Sequence, residues 1–199
     1  MTAASTPKGE RRRAALAEAA AALLSEGGFD AVRHRAVAER AELPLASTTY
    51  YFDSLDDLVS AAVEHHSRAE LAFGRRCLED LATRNRGVDS LVDLVLELLL
   101  GPRQPEREAD AEAVLLRYER LVATGRRAYL RPLMRELSGE LHELMREIFA
   151  RSGMPIDETE LERLIALVDG AVVNALIAID PDPRAVAGRM LRAALRPES

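Results

Sequence analysis

Apolar residues recur at intervals of three and four along almost the whole chain, and no stretch alternates apolar and polar residues as a half-buried strand would. That periodicity restricts the fold to an all-α one. Leu16, Ala20, Leu23 and Leu24 line one face of a first helix that Gly27-Gly28 should end, leaving Phe29 to plug a small core. Two short helices follow, over residues 33–41 and 45–51, joined by Glu42-Leu43-Pro44. Ser54 and Asp57 form a capping pair for a long fourth helix carrying Leu55, Leu58, Ala62, His65 and Ala69, which should run to about residue 84 before Asn85-Arg86-Gly87 breaks it. Five further helices are expected over 88–100, 106–124, 127–151, 158–179 and 184–195, separated by Gly and Pro. Pro132 either starts or kinks the third of these. The expected organisation is a three-helix N-terminal domain over 1–54, preceded by a disordered arm at 1–9, and a six-helix C-terminal domain over 55–199.

Several classes of function are disfavoured at once. The longest apolar stretch, residues 91–100, contains Asp93 and Glu97 and falls far short of the ~18 residues that span a bilayer. A single cysteine, Cys77, cannot form an internal disulfide and sits at helical spacing between Phe73 and Leu81, so a buried thiol in a reducing, cytoplasmic setting is expected. Adjacent His65 and His66 point about 100° apart on a helix and cannot share one metal. No nucleophile–base grouping and no glycine-rich phosphate loop appears, so neither an enzyme nor a cofactor is expected.

The net charge of −6 argues weakly against nucleic acid, but its distribution matters more. Residues 1–52 carry seven basic groups, Lys8, Arg11, Arg12, Arg13, Arg33, Arg35 and Arg40, against six acidic ones, so the acidity belongs to the remainder. Two helices as short as 33–41 and 45–51 are unstable alone. Clamped between their neighbours they make a helix-turn-helix, whose second member enters a DNA major groove while the first lies across the backbone. His34 and Arg35 stand at the start of the first, and Ser47, Thr49, Tyr50 and Tyr51 offer hydroxyls to phosphates and base edges.

Gly28-Phe29, Val37-Ala38-Glu39-Arg40-Ala41, Leu43-Pro44, Ser47, Tyr50, Phe52 and Leu58 together resemble the DNA-binding domain of the tetracycline-repressor (TetR) family, over about residues 10–60 without a gap. The resemblance implies a homodimeric DNA-binding transcriptional regulator, usually a repressor, bound to a palindromic double-stranded operator and released by a small ligand held in the C-terminal domain. It places Arg33, His34, Arg35, Leu45, Ala46, Ser47, Thr49 and Tyr51 toward DNA, with Tyr50 sharing contact and packing, and Val37, Ala38, Leu43 and Phe52 in the core. Three positions depart from the family. Glu42 replaces the turn glycine and would need a positive φ, Leu45 replaces a commonly basic residue, and Leu55 replaces a lysine. These losses predict fewer phosphate contacts without changing the fold, and they are the best support for the rival reading, a structural helical oligomer that keeps a degenerate helix-turn-helix.

In the C-terminal domain the helix over 158–179 is apolar nearly all round. Leu161, Leu164, Ile165, Val168, Val172, Ala175, Leu176 and Ile179 exceed what one buried stripe requires, so a second copy is expected to cover part of them, with the last two helices, 158–179 and 184–195, as the dimer surface. A small apolar or amphipathic ligand is expected among the fourth to seventh helices, oriented by Phe73, Arg117, Tyr118, His142 and Asn174.

Overall fold

The computed structural model describes residues 6–80 and 87–196. Among those residues it has nine α-helices and no strand: α1 (Pro7–Ala31), α2 (His34–Arg40), α3 (Leu45–Tyr51), α4 (Leu55–Asp80), α5 (Val88–Leu100), α6 (Arg107–Gly125), α7 (Arg131–Arg151), α8 (Glu158–Ile177) and α9 (Pro183–Leu195). The expected end of α4 near residue 84 and the break at Asn85-Arg86 lie outside the described residues, as do residues 1–5 of the expected arm.

α1 begins at Pro7, inside the segment expected to be an arm. Thr6 caps it, its hydroxyl accepting from the Gly9 N–H at 3.1 Å, and Pro7 supplies the first turn without a wasted donor. Gly27-Gly28 does interrupt α1: Gly28 takes φ 68°, which a side chain would resist, and one more turn to Ala31 brings Phe29 inward. Pro132 stands in the first turn of α7, after a 3-10 turn at Ala128–Leu130, so it starts that helix rather than kinking it. The Ser54 cap of α4 forms as expected, accepting from the Asp57 N–H at 3.1 Å.

Packing groups the chain into two units that differ from a division at residue 54: Met1–Ala69 with Glu119–Leu137, and Glu70–Tyr118 with Ser138–Ser199. The first unit packs Leu16, Ala20, Leu24, Val32, Val37, Phe52, Leu58, Ala62 and Leu130 in one buried cluster, where the alanines let helices approach closely. Leu130 comes from the segment before α7, and Arg127 beside it lays its guanidinium 3.6 Å from the centroid of Phe29. His66 bridges Ser25 and Arg120 at 3.3 and 3.1 Å, while His65 is exposed.

The second unit is built around α5, whose seven buried apolar side chains face the core. Gly74 lets two leucines close on α4: a methyl group there would stand 2.6 Å from Leu98 Cδ2 and 2.7 Å from Leu144 Cδ2. The carbonyls at the end of α5 are capped by two arginines. Arg117 donates to Leu99 O at 2.7 Å, and Arg184 donates to Leu96 O and to Gly101 O at 3.3 and 3.1 Å. Arg184 is buried and carries its counter-ion, since its Nε donates to Asp110 Oδ2 at 2.8 Å. Cys77 is buried and forms no disulfide among the described residues, as its spacing implies.

Candidate nucleic-acid interface

α2 and α3 are seven residues each and keep their shape because the first unit buries one side of both. Val37 and Ala38 of α2, Thr48 of α3 and Phe52 after it are buried. Thr48 pays little for its hydroxyl, which donates to Leu45 O at 2.8 Å within its own helix. The opposite side is open. Six of the nine residues expected to face DNA are exposed, Arg33, Arg35, Leu45, Ala46, Thr49 and Tyr50, and His34, Ser47 and Tyr51 are half-buried.

The turn between the two helices adopts the strained conformation that the sequence implies. Glu42 has φ 54°, the left-handed region that glycine occupies freely and other residues occupy at a cost of ~1 kcal/mol. The Leu43 N–H then donates to Ala38 O at 2.9 Å, closing the turn and setting the direction of α3. The Tyr50 and Tyr51 rings meet edge to face with centroids 4.9 Å apart, which steadies two aromatic hydroxyls at one end of the reading helix.

The arginines of this unit divide between frame and surface. Arg40 forms a two-pronged pair with Glu26 at 2.8 and 2.7 Å, clamping the end of α2 to α1. That hydrogen bond lowers the Glu26 carboxyl and raises the Arg40 guanidinium from their ordinary values, so Arg40 belongs to the frame. Arg13 stands 5.1 Å over the Phe52 ring and so steadies the residue that ends α3. Sequence reasoning missed both, because the partners lie 14 and 39 positions away and local spacing carries no trace of them. Arg33 reaches only a long, exposed pair with Asp30 at 3.7 Å. Arg35 has no ion-pair partner among the described residues and presents a free guanidinium. The buried Nδ1 of His34 also lacks a hydrogen-bond partner, a cost of about 1–3 kcal/mol that local stability does not explain.

The residues expected to hold a ligand are each placed differently. Arg117 pairs with Glu70 and caps α5. Tyr118 donates to Asp169 at 2.7 Å, and burial together with that carboxylate pushes its phenol well above the usual range. His142 Nδ1 lies 2.7 Å from Glu158, Phe73 is half-buried beneath Arg76, and Asn174 is exposed on α8.

Burial within the protomer divides the residues of the expected dimer surface. Leu161, Leu164, Val168, Val172 and Ala175 are buried within the protomer, and Ile165 and Leu176 are half-buried. The reason is that α8 packs extensively on α9 of the same chain, which consumes most of its apolar circumference. What remains outside is a narrower strip of Val173, Ile177 and Ile179, exposed by 42%, 74% and 89%.

Comparison with known proteins agrees with this geometry. Among solved structures the chain is similar to the multidrug binding protein EbrR complexed with imidazole, 28% identical with TM-score 0.64 over 98% of this chain and 93% of that one. It is similar to the same protein complexed with proflavin, 29% identical with TM-score 0.63 over 92% and 99%. It is also similar to a TetR family member, SCO1917 from Streptomyces coelicolor A3, 29% identical with TM-score 0.61 over 94% and 99%. No curated protein matches. The family profile of bacterial regulatory proteins of the tetR family matches residues 16–62, over the helix-turn-helix. The tetracyclin repressor-like C-terminal domain matches residues 82–197, more than half of the 199-residue chain, and the protein therefore belongs to the TetR family.

Proposed function

We propose that this ligand-responsive regulator is a repressor that leaves its operator when a small apolar or amphipathic molecule binds its C-terminal domain. The observation that carries the DNA half is the one-sidedness of α2 and α3, with Val37, Ala38, Thr48 and Phe52 buried and Arg35, Thr49 and Tyr50 turned out. An exposed guanidinium on α2 and exposed aromatic and aliphatic hydroxyls on α3 suit phosphate and base-edge contacts. Leu45, 52% exposed at the start of α3, removes a charge there and suits contact with a thymine methyl.

Homodimerisation supplies the second reading head. Val173, Ile177 and Ile179 form the apolar strip that a second copy would cover, with Asn174 between them to fix register. Ile179 strengthens this assignment, since a β-branched residue at φ 56° and almost fully exposed gains nothing inside one protomer. The relatives complexed with imidazole and proflavin support a small-molecule inducer. Ligand and DNA would then oppose each other through one coupling energy. A protein that regulates DNA in this way works in the cytoplasm.

The test is fluorescence anisotropy of the purified protein with labelled DNA from its own upstream intergenic region, across a salt series. Specific binding that exceeds binding to random DNA, and that proflavin or a related dye weakens, supports the reading. Equal affinity for both DNAs at every salt concentration overturns it, in favour of a structural oligomer.

A further inference from the structure

In the second unit, an open cleft of about 280 Å³ lies between α5, the loop after it and α9, and six charged side chains line it: Asp93, Glu97, Arg103, Arg184, Arg189 and Arg192. Four of the six are neutralised inside the protein. Arg184 holds Asp110 at 2.8 Å, and Arg192 holds Asp89 at 2.7 Å and Asp93 at 3.0 Å. Arg103 leans on Asp182 at 3.9 Å, a carboxylate it shares with Arg107 at 3.8 Å.

Two groups are left over. Glu97 is half-buried on α5 and Arg189 is exposed on α9, and neither has a hydrogen-bond or ion-pair partner among the described residues. They are opposite in sign and line the same cleft, yet they do not close on each other. The cleft arginines other than Arg189 are each engaged with carboxylates elsewhere, so neither Glu97 nor Arg189 is satisfied from inside the protein. The guest that would satisfy both carries one cationic and one anionic group. The volume lies just below the ~300 Å³ at which drug-sized sites begin, which limits that guest to a small metabolite.

We infer that this cleft is a binding site for a free amino acid or a similar small zwitterion, its ammonium on Glu97 and its carboxylate on Arg189, with Arg103 beside the anionic end. Such a guest would bridge α5 and α9 by two charge-assisted contacts. The cleft includes none of the residues expected from the sequence to hold a ligand, and the inference does not depend on DNA binding.

Isothermal titration of the purified full-length protein tests it, with glycine, L-glutamine and L-lysine as probes and acetate and methylammonium as single-charge controls. The expected result is saturable binding of at least one amino acid and of neither control. Glu97→Gln and Arg189→Gln should each weaken that binding about tenfold or more while leaving helicity and DNA affinity unchanged. Absence of saturable binding by any amino acid overturns the inference. So does binding that both variants retain in full, or binding of either single-charge control as tight as that of the amino acids.

Discussion

α3 and the C-terminal end of α8 each bury one side and leave the other bare, and the bare residues differ in chemistry, since the aliphatic strip of α8 begins only at Val173, after the exposed Glu162, Arg163 and Asp169. α3 turns out Ala46, Thr49 and Tyr50, with Arg35 of α2 close in sequence, whereas α8 turns out Val173, Ile177 and, past its end, Ile179. The same all-helical construction therefore offers one surface of hydrogen-bonding groups and one of aliphatic carbon. The first matches a polyanion with patterned groove edges, and the second matches only another apolar surface. The interiors differ as well. The first unit buries two threonines, Thr48 and Thr124, but no charged side chain among the described residues, while the second keeps the Arg184–Asp110 pair inside.

That last contrast gives the largest expected effect. Asp110→Ala leaves the Arg184 charge buried with carbonyls alone and should cost ~3–5 kcal/mol, read as a lowered urea midpoint in the second unit. Burial by itself would raise the Asp110 carboxyl, but the Arg184 hydrogen bond and charge, with the Gln104 amide, outweigh it and leave the carboxyl below its ordinary value. Its contribution is therefore complete above the unfolded-state value near ~3.9 and is lost as pH falls through the lower folded-state value. Acid should destabilise the wild type in that window, and Asp110→Ala should flatten the dependence.

Ile177→Glu comes next. An exposed residue can change without harming the fold, yet each copy should forfeit ~1.5–3 kcal/mol of apolar burial and gain a buried charge in the dimer. Light scattering should then report well-folded monomers. Val172→Glu, five residues earlier and facing inward, should instead fail to fold in any oligomeric state, and equal behaviour of the two would erase the distinction between the faces of α8.

Arg35→Ala and Tyr50→Ala should each weaken operator binding by ~1–3 kcal/mol with helicity and dimer mass unchanged. The smallest effect is expected at Glu42. Glu42→Gly should stabilise the first unit by ~1 kcal/mol in thermal melts by relieving the φ of 54°.

The sequence made the helix-turn-helix legible almost to the residue, because its signals are local: Ser54 caps α4, Glu42 stands where glycine would, and Phe52 plugs the core. Even there, Thr6-Pro7 was a start signal for α1 hidden by a polar stretch. The C-terminal half was legible as helices but not as faces. An apolar count along α8 does not say which partner covers which side, and α9 of the same chain covers most of it. Likewise the ligand candidates Arg117 and His142 are occupied by Glu70 and Glu158, partners 47 and 16 positions away that helical spacing cannot reveal.

The most direct measurement of the link between the two bare faces is a hydroxyl-radical footprint of the full-length protein on its upstream intergenic DNA. Two reading heads joined through α8 should protect two inverted half-sites centred about 10–10.5 base pairs apart, or a multiple of that, on one side of the duplex. Ile177→Glu should reduce this to weak protection of single half-sites. A continuous, sequence-independent footprint that Ile177→Glu leaves intact would contradict a paired reading head held together by α8.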